Sequence, residues 1–331
     1  MKKSLYLHGG GALARQQNTL TFTNNVSKPR YIPINTVADI HALGQVTVNT
    51  HLLSFLSEQN IPMHIYTHNG HYAGSYMPYH HKGSGKLTLA QASHYNSGSK
   101  RLSLAKAFVK AALKNIDAVL SYYRRRGKEV KESLDHIRKM SAAISKQQST
   151  NALMALEGSA RDSYYRAWDA ITETPAFRFD KRSRRPPKNA VNALISFGNT
   201  LLYGACLSEL HHVQLDPRIG FLHATNERNY TLNLDLAEIF KPIIVDRIIF
   251  TLINKKIIKP EHFRPVAGGT YLNDEGMKIV LTSFDKRLKD SLTLKGETRP
   301  SSYRYVIRKE GYKLEKYFLG EAEYTPFLAS W

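Results

Sequence analysis

Near residue 78 the apolar pattern of this chain changes period, and such a change points to two folded bodies rather than one. Before it, runs such as Ser4 to Leu7, Thr19 to Phe22 and Val46 to Val48 are short, alternating or β-branched, and Gly and Asn turns separate them, which predicts strands. Asn69-Gly70 between His64–Thr67 and Tyr72–Met77 predicts a hairpin. Leu52, Leu53 and Leu56 give one helical period, over Asn49 to Gln59. Gly9-Gly10-Gly11 is followed by neither Gly-Lys-Ser/Thr nor a helix, so it reads as a turn and not a phosphate loop. His64, His68 and His71 have no carboxylate beside them in sequence, and a metal site is not expected there.

The aperiodic Pro78 to Lys86, PYHHKGSGK, reads as a linker. Beyond it the period is helical. Leu104, Phe108, Ala112, Ile116, Val119 and Tyr123 predict a long helix closed by Arg124-Arg125-Arg126-Gly127. Val130 to Ile144 predict the next, and Ser149, Thr150 or Asn151 can cap a third with Leu153, Leu156, Ala160, Tyr164 and Trp168 as its stripe. Val191 to Ala205 form a buried helix, and Asn273 caps another. The expected organisation is a multidomain chain: a small β-rich domain over 1–77, a linker over 78–86 and a larger all-α domain over 87–331.

Lys+Arg 47 against Asp+Glu 27 gives a formal charge of +20, which favours a polyanion partner, nucleic acid ahead of a membrane surface. Much of that charge sits in FRFDKRSRRPPKN. There Arg178, Lys181, Arg182, Arg184, Arg185 and Lys188 flank Pro186-Pro187, a solvated loop or a rigid strip for phosphates. The tail mixes Arg304, Arg308, Lys309, Lys313 and Lys316 with Tyr303, Tyr305, Tyr312 and Tyr317, which suits phosphates and bases or an ordinary amphipathic helix. A single cysteine, Cys206, allows neither an internal disulfide nor a Cys-based zinc site and leads us to expect a reducing cytoplasm. The start, MKKSLYLHGGGALA, has too short an apolar core for a signal peptide, and the run Ile243 to Ile253 is interrupted by Asp246 and Arg247 and does not read as a membrane span.

The stretch Gly220 to Asp246 carries the most chemistry. His223 stands in a segment without period, and Leu236, Ile239, Phe240 and Ile243 predict an amphipathic helix starting near Thr231. Asp235 and Glu238, three apart, share a face of it at the border of the apolar stripe. Pro242 leaves the Glu238 carbonyl without its usual donor and predicts a kink. A loop histidine with two helix carboxylates suits half of a divalent-metal site; equally, the acids could serve the helix dipole and the histidine be ordinary loop polarity. Upstream, Glu157, Arg161 and Tyr165 lie on one helix face, where a surface ion pair would also account for the first two.

Taken in order, LEGSARDSYY, RSRRPPKNAVNALISFGNTLLYG, DPRIGFLH and LDLAEIFKPIIVDR resemble the CRISPR-associated adaptation integrase family, and NLDLAEIFKPIIVDRIIFTLINKKII is most similar to its type I-B members. The resemblance implies a β-sandwich-like N-terminal domain that forms a homodimer and a helical domain with one divalent ion, Mg²⁺ or Mn²⁺, held by Glu157, His223 and Glu238 with Asp235 in support. It also implies double-stranded DNA as substrate, both captured fragment and repeat, a small companion adaptation protein bridging two dimers, and a prokaryotic cytoplasm. Arg161, Tyr165, Arg182, Arg184, Arg185 and Lys188 are then the candidate DNA contacts. Where the family commonly has a small residue two before the helix Asp, this chain has Asn233. Three functions compete: an integrase joining 3′-OH ends to a repeat by transesterification, a structure-selective DNA endonuclease using the same site, and a non-catalytic nucleic-acid-binding protein.

Overall fold

A computed structural model describes residues 2–25, 28–79, 83–223 and 229–329. The chain divides into two compact units, Met1–Lys82 and Gly83–Trp331.

The first unit contains β1 (Lys3–His8), β2 (Gly11–Gln16), β3 (Thr19–Thr23), β4 (Arg30–Pro33), β5 (Val37–Leu43), β6 (Val46–Thr47), α1 (Thr50–Glu58), β7 (Met63–Tyr66) and β8 (Tyr72–Tyr76). They form two four-stranded sheets, ordered β1-β5-β7-β8 and β4-β3-β2-β6. The helix is the one the leucine spacing predicts, and the Asn49 side chain caps it by accepting from the Leu52 N–H. The hairpin is β7 to β8, closed over 67–71. Leu5, Leu7, Ile40, Ala42 and Met63 from the first sheet share one core with Leu13, Leu20 and Phe22 from the second and with Leu52, Phe55 and Leu56 of α1. Strand residues alternate faces, so the other side of the first sheet receives Tyr6, Asp39, His41, His64 and Tyr66. The strand β5 is buried along its whole length, and with polar residues on one of its faces it does not read as a solvent-facing strand.

The second unit is largely helical: α2 (Gly85–Asn96), α3 (Gly98–Arg125), α4 (Lys131–Ala143), α5 (Thr150–Arg166), α6 (Trp168–Thr172), α7 (Ala190–His211), α8 (Leu232–Phe240), α9 (Arg247–Asn254), α10 (Asp274–Lys289) and α11 (Tyr303–Phe318). Ser149 and Asn273 cap α5 and α10 as their positions predict. Helix α2, capped by Ser84, starts inside the stretch read as a linker, of which 80–82 fall outside the described residues. Residues 224–228 of the aperiodic segment after His223 also fall outside them.

The all-α expectation for this unit needs amending, because two small antiparallel pairs occur: β9 (Phe263–Val266) with β10 (Gly269–Leu272), and β11 (Ser291–Leu292) with β12 (Ser301–Ser302). The first turns through Ala267 and Gly268, both at positive φ, as two-residue hairpins of this kind require. An alanine in that conformation is costly, and the sequence signal is correspondingly weak.

Helix α7 is long and apolar enough, by length and composition, to cross a membrane, which the run Ile243 to Ile253 is not. Its surface is taken up by the fold instead, with 78% of the apolar window buried. Helix α8 packs against both α3 and α7. All of its residues but Leu234 are buried where its spacing predicts an amphipathic helix, because α3, α7 and the turn after it pack around it. Its continuation is a single π-helical turn, Pro242–Asp246, and Gly198 on α7 admits that turn: a Cβ there would stand 2.6 Å from Val245 Cγ1.

Candidate active site

The Pro242 disruption has the consequence its sequence predicts. With no N–H four residues on, the Glu238 carbonyl accepts instead from Arg161 Nη2 of α5 at 3.4 Å. Along the same stretch Asn115 of α3 donates to the Ile239 carbonyl at 2.8 Å, and Arg287 of α10 donates to the Ile243 carbonyl at 2.8 Å. Side chains from three helices are therefore drawn to one irregular turn.

Arg161 also grips the Glu238 side chain, Nη2 to Oε2 at 2.5 Å, while its Nε donates to Glu157 Oε1 at 2.7 Å. The surface pair considered from sequence is in fact a bridge: Arg161 is buried and joins the carboxylates of two helices. Lys241 Nζ holds Glu238 Oε1 at 2.5 Å and is buried too. Burial alone would raise the Glu238 pKa, but Lys241 and Arg161, then His223, outweigh it and hold the carboxyl at about 2, so it is ionised at neutral pH.

His223 reaches this carboxylate from the loop before α8. Gly220 starts the approach: its N–H donates to Thr231 Oγ1 at 2.9 Å, and a Cβ there would lie 2.8 Å from the Thr231 backbone. Asp235, in the first turn of α8, then accepts from the N–H groups of Phe221 at 2.6 Å, Leu222 at 3.0 Å and His223 at 2.9 Å, and lies 2.7 Å from His223 Nδ1. This carboxylate is thus spent on folding the loop and orienting the imidazole. With Nδ1 engaged, Nε2 faces Glu238 Oε1 at 3.9 Å. Burial lowers the His223 pKa, yet the hydrogen bond and charge of Asp235, with the charge of Glu238, more than compensate and raise it.

The structure thus brings His223, Asp235 and Glu238 together and connects Glu157 through Arg161. Glu157, His223 and Glu238 do not close to one donor atom each within 4.8 Å. Among the described residues the group of three that does is Asp39, His41 and His64, a buried set able to hold a metal ion. The expectation of no metal-ligating company for His64 is corrected by that set: its companions come from the neighbouring strand β5, where D-x-H in VADIHAL was the available signal.

The donors around Glu238 nevertheless fit a divalent cation. They comprise an ionised carboxylate, a second carboxylate, and an imidazole whose other nitrogen is fixed by an acid, as metal-ligating histidines usually are. Glu157 and His223 keep part of their side chains exposed, so the group is open to solvent on that side.

Of the other sequence candidates, Tyr165 is buried and stacks on Phe179 at 5.3 Å. Arg182 turns inward, donating to Asn192 Oδ1 at 2.8 Å and Ser196 Oγ at 3.1 Å of α7, while Arg184, Arg185 and Lys188 are exposed. In the tail, Arg304 and Arg308 bind buried Glu209 of α7, at 3.1 and 2.7 Å, so these two cations face the core. Asn233 is buried and donates to the Tyr203 carbonyl at 3.2 Å, a contact a small residue would lack. Sequence reasoning gave no role to Lys241 or Asp246, both in the KPIIVD phrase. Asp246 ends the π turn, buried beside Tyr164 and Arg161.

A two-sheet module followed by a largely helical body is a Cas1-like fold. Residues 5–286 match the family model described as CRISPR associated protein Cas1. A relative from Thermodesulfovibrio yellowstonii named CRISPR-associated endonuclease Cas1 2 is 47% identical over 100% of both chains. The chain belongs to the Cas1 family of CRISPR-associated endonucleases/integrases involved in spacer acquisition. Among solved structures, a Cas1 protein from Thermotoga maritima superposes with a TM-score of 0.87 at 37% identity, covering 97% of this chain and 98% of that one. The same fold recurs in a casposase bound to integration product (TM-score 0.85, 22% identity, 100% and 95% covered) and in a Cas6-RT-Cas1–Cas2 complex (0.85, 19%, 99% and 36% covered).

Asp246 supplies a test of these electrostatics. Burial pushes its carboxyl up to about 7, and nearby Arg161 offsets only part of the rise. A carboxyl whose folded pKa exceeds its unfolded value near 3.8 stabilises the fold fully below that value and loses this contribution as pH rises toward about 7. Asp246→Asn removes the slope. Thermal midpoints followed from about pH 4 to about pH 8 should fall less steeply in the variant than in the parent, and parallel curves would contradict the raised pKa.

Proposed function

We propose that this chain joins the 3′-OH ends of a short DNA fragment to a CRISPR repeat by direct transesterification, with Glu157, His223 and Glu238 as ligands of one Mg²⁺ or Mn²⁺ ion. The observation that carries the reading is the buried Arg161 bridge between Glu157 and Glu238, with His223 Nε2 turned toward the same carboxylate, in a chain of this family. Bound there, the ion would polarise the phosphodiester and lower the pKa of the attacking hydroxyl. Asp235 fixes the imidazole so that Nε2 is the nitrogen presented. Arg161 keeps the two glutamates converging, and Lys241 places a second cation at the site to offset phosphate charge. One ester bond forms as another breaks, so the step is nearly thermoneutral and runs in both directions.

The proposal extends to a type I-B affiliation, to a dimer contact through 1–77, and to a Cas2-like companion, the last supported by the Cas2 present in the Cas6-RT-Cas1–Cas2 complex that shares this fold. A second reading, structure-selective hydrolysis by water in the same site, is favoured by a relative that is itself named an endonuclease.

Branched, half-integrated DNA separates the two. With Mn²⁺ the protein should resolve it into a religated repeat strand and a free fragment, and His223→Ala or Glu238→Ala should abolish this while changing DNA binding by less than roughly 1 kcal/mol. Hydrolysed ends without a religated strand would support the second reading. The exposed strip is tested apart from the chemistry. Because Arg182 is tied to α7, Arg184→Ala with Arg185→Ala is the informative pair, and it should reduce the slope of log affinity against log salt by about 2. An unchanged slope would remove the strip from the DNA interface.

A further inference from the structure

We infer that the N-terminal unit holds a divalent transition metal of the zinc type on Asp39, His41 and His64, as a structural clasp between β5 and β7 separate from the DNA site.

The backbone places all three donors on one sheet face. Asp39 and His41 stand two apart on β5, and His41 is paired in register with His64 on the parallel neighbour β7. All three are fully buried, on the face opposite the unit's apolar core. Each histidine has its Nδ1 engaged, His41 with the Tyr66 hydroxyl at 2.9 Å and His64 with Ser75 Oγ at 2.6 Å. Donating that N–H leaves the lone pair on Nε2, the arrangement in which protein imidazoles bind metals. The His41 Nε2 makes no hydrogen bond although it is buried.

The spacing argues for a shared cation over a direct contact. In this same chain a histidine and an aspartate that hydrogen-bond, His223 and Asp235, stand 2.7 Å apart, whereas His41 Nε2 and Asp39 Oδ2 stand 3.5 Å apart. Donors about 2.0–2.2 Å from a tetrahedral ion are about 3.3–3.6 Å from one another. The third donor completes the set within 4.8 Å, so a small side-chain movement brings all three to one ion. Two imidazoles with one carboxylate, away from water, suit zinc and its first-row neighbours better than Mg²⁺, which keeps oxygen ligands and several waters. An ion here ties together the two central strands of the first sheet, and its binding energy adds to the stability of the unit.

The test uses full-length protein stripped with chelator, dialysed against Zn²⁺ and analysed for zinc per chain. The His223→Ala/Glu238→Ala variant should retain about one ion, and His41→Asn/His64→Gln protein should hold about one fewer than the parent. Co²⁺ in place of Zn²⁺ should give the visible bands of a tetrahedral site in parent and His223→Ala/Glu238→Ala protein alike, a readout that stands even if the His41/His64 variant does not fold. Zinc-free parent protein, or a His223→Ala/Glu238→Ala variant that holds no zinc and shows no bands, would overturn the inference.

Discussion

A proline just past a buried helix sets the rest of the site in order. Pro242 cannot donate to the Glu238 carbonyl, and an unsatisfied buried carbonyl costs about 1–3 kcal/mol, so a donor has to come from elsewhere. Arg161 supplies it and meets the Glu238 carboxylate with the same nitrogen. Repair of the backbone and placement of the Glu238 carboxylate are thus one interaction. The π turn that follows passes close to α7 because Gly198 has no side chain, and it carries Asp246 into a buried position near Arg161.

Around that interaction the charges are arranged in layers. Asp235 is saturated by three backbone N–H groups and the His223 ring, so its role is to shape a loop. Glu238, facing Lys241 and Arg161, stays ionised in a place where an isolated carboxylate would not. Asp246 also feels Arg161 and Lys241, but burial outweighs them and its carboxyl is pushed up to about 7. The three acids lie within one short stretch of chain, and their surroundings set them apart: cations keep Glu238 ionised, backbone N–H groups engage Asp235, and burial raises Asp246.

Much of this was readable in the residues. Caps at Asn49, Ser149 and Asn273, the stripe of α3 and the effect of Pro242 are local, and local rules located them. The convergence of Glu157 with Glu238 came only through the family resemblance, since no periodicity reports a contact between helices so far apart in sequence. What escaped altogether depends on tertiary pairing. Arg182, Arg304 and Arg308 resemble surface cations until Asn192 and Glu209 are found beside them, and Asp39 and His41 become part of a group able to hold a metal only once β7 places His64 alongside. Helix α8 looks amphipathic in sequence because its acids sit at the border of the apolar stripe, whereas in the fold Arg161 and Lys241 offset the charge of Glu238 and backbone N–H groups engage Asp235.

The account rests on Glu157, His223 and Glu238 serving one ion, and the most direct measurement is anomalous diffraction from crystals of the full chain grown with Mn²⁺. The account predicts a single strong peak in the helical unit, in contact with His223 Nε2 and a carboxylate oxygen from each of Glu157 and Glu238, with Asp235 still bound to the loop. A peak that engages Asp235 in place of Glu157, or no peak beside Glu238 at saturating Mn²⁺, would contradict it.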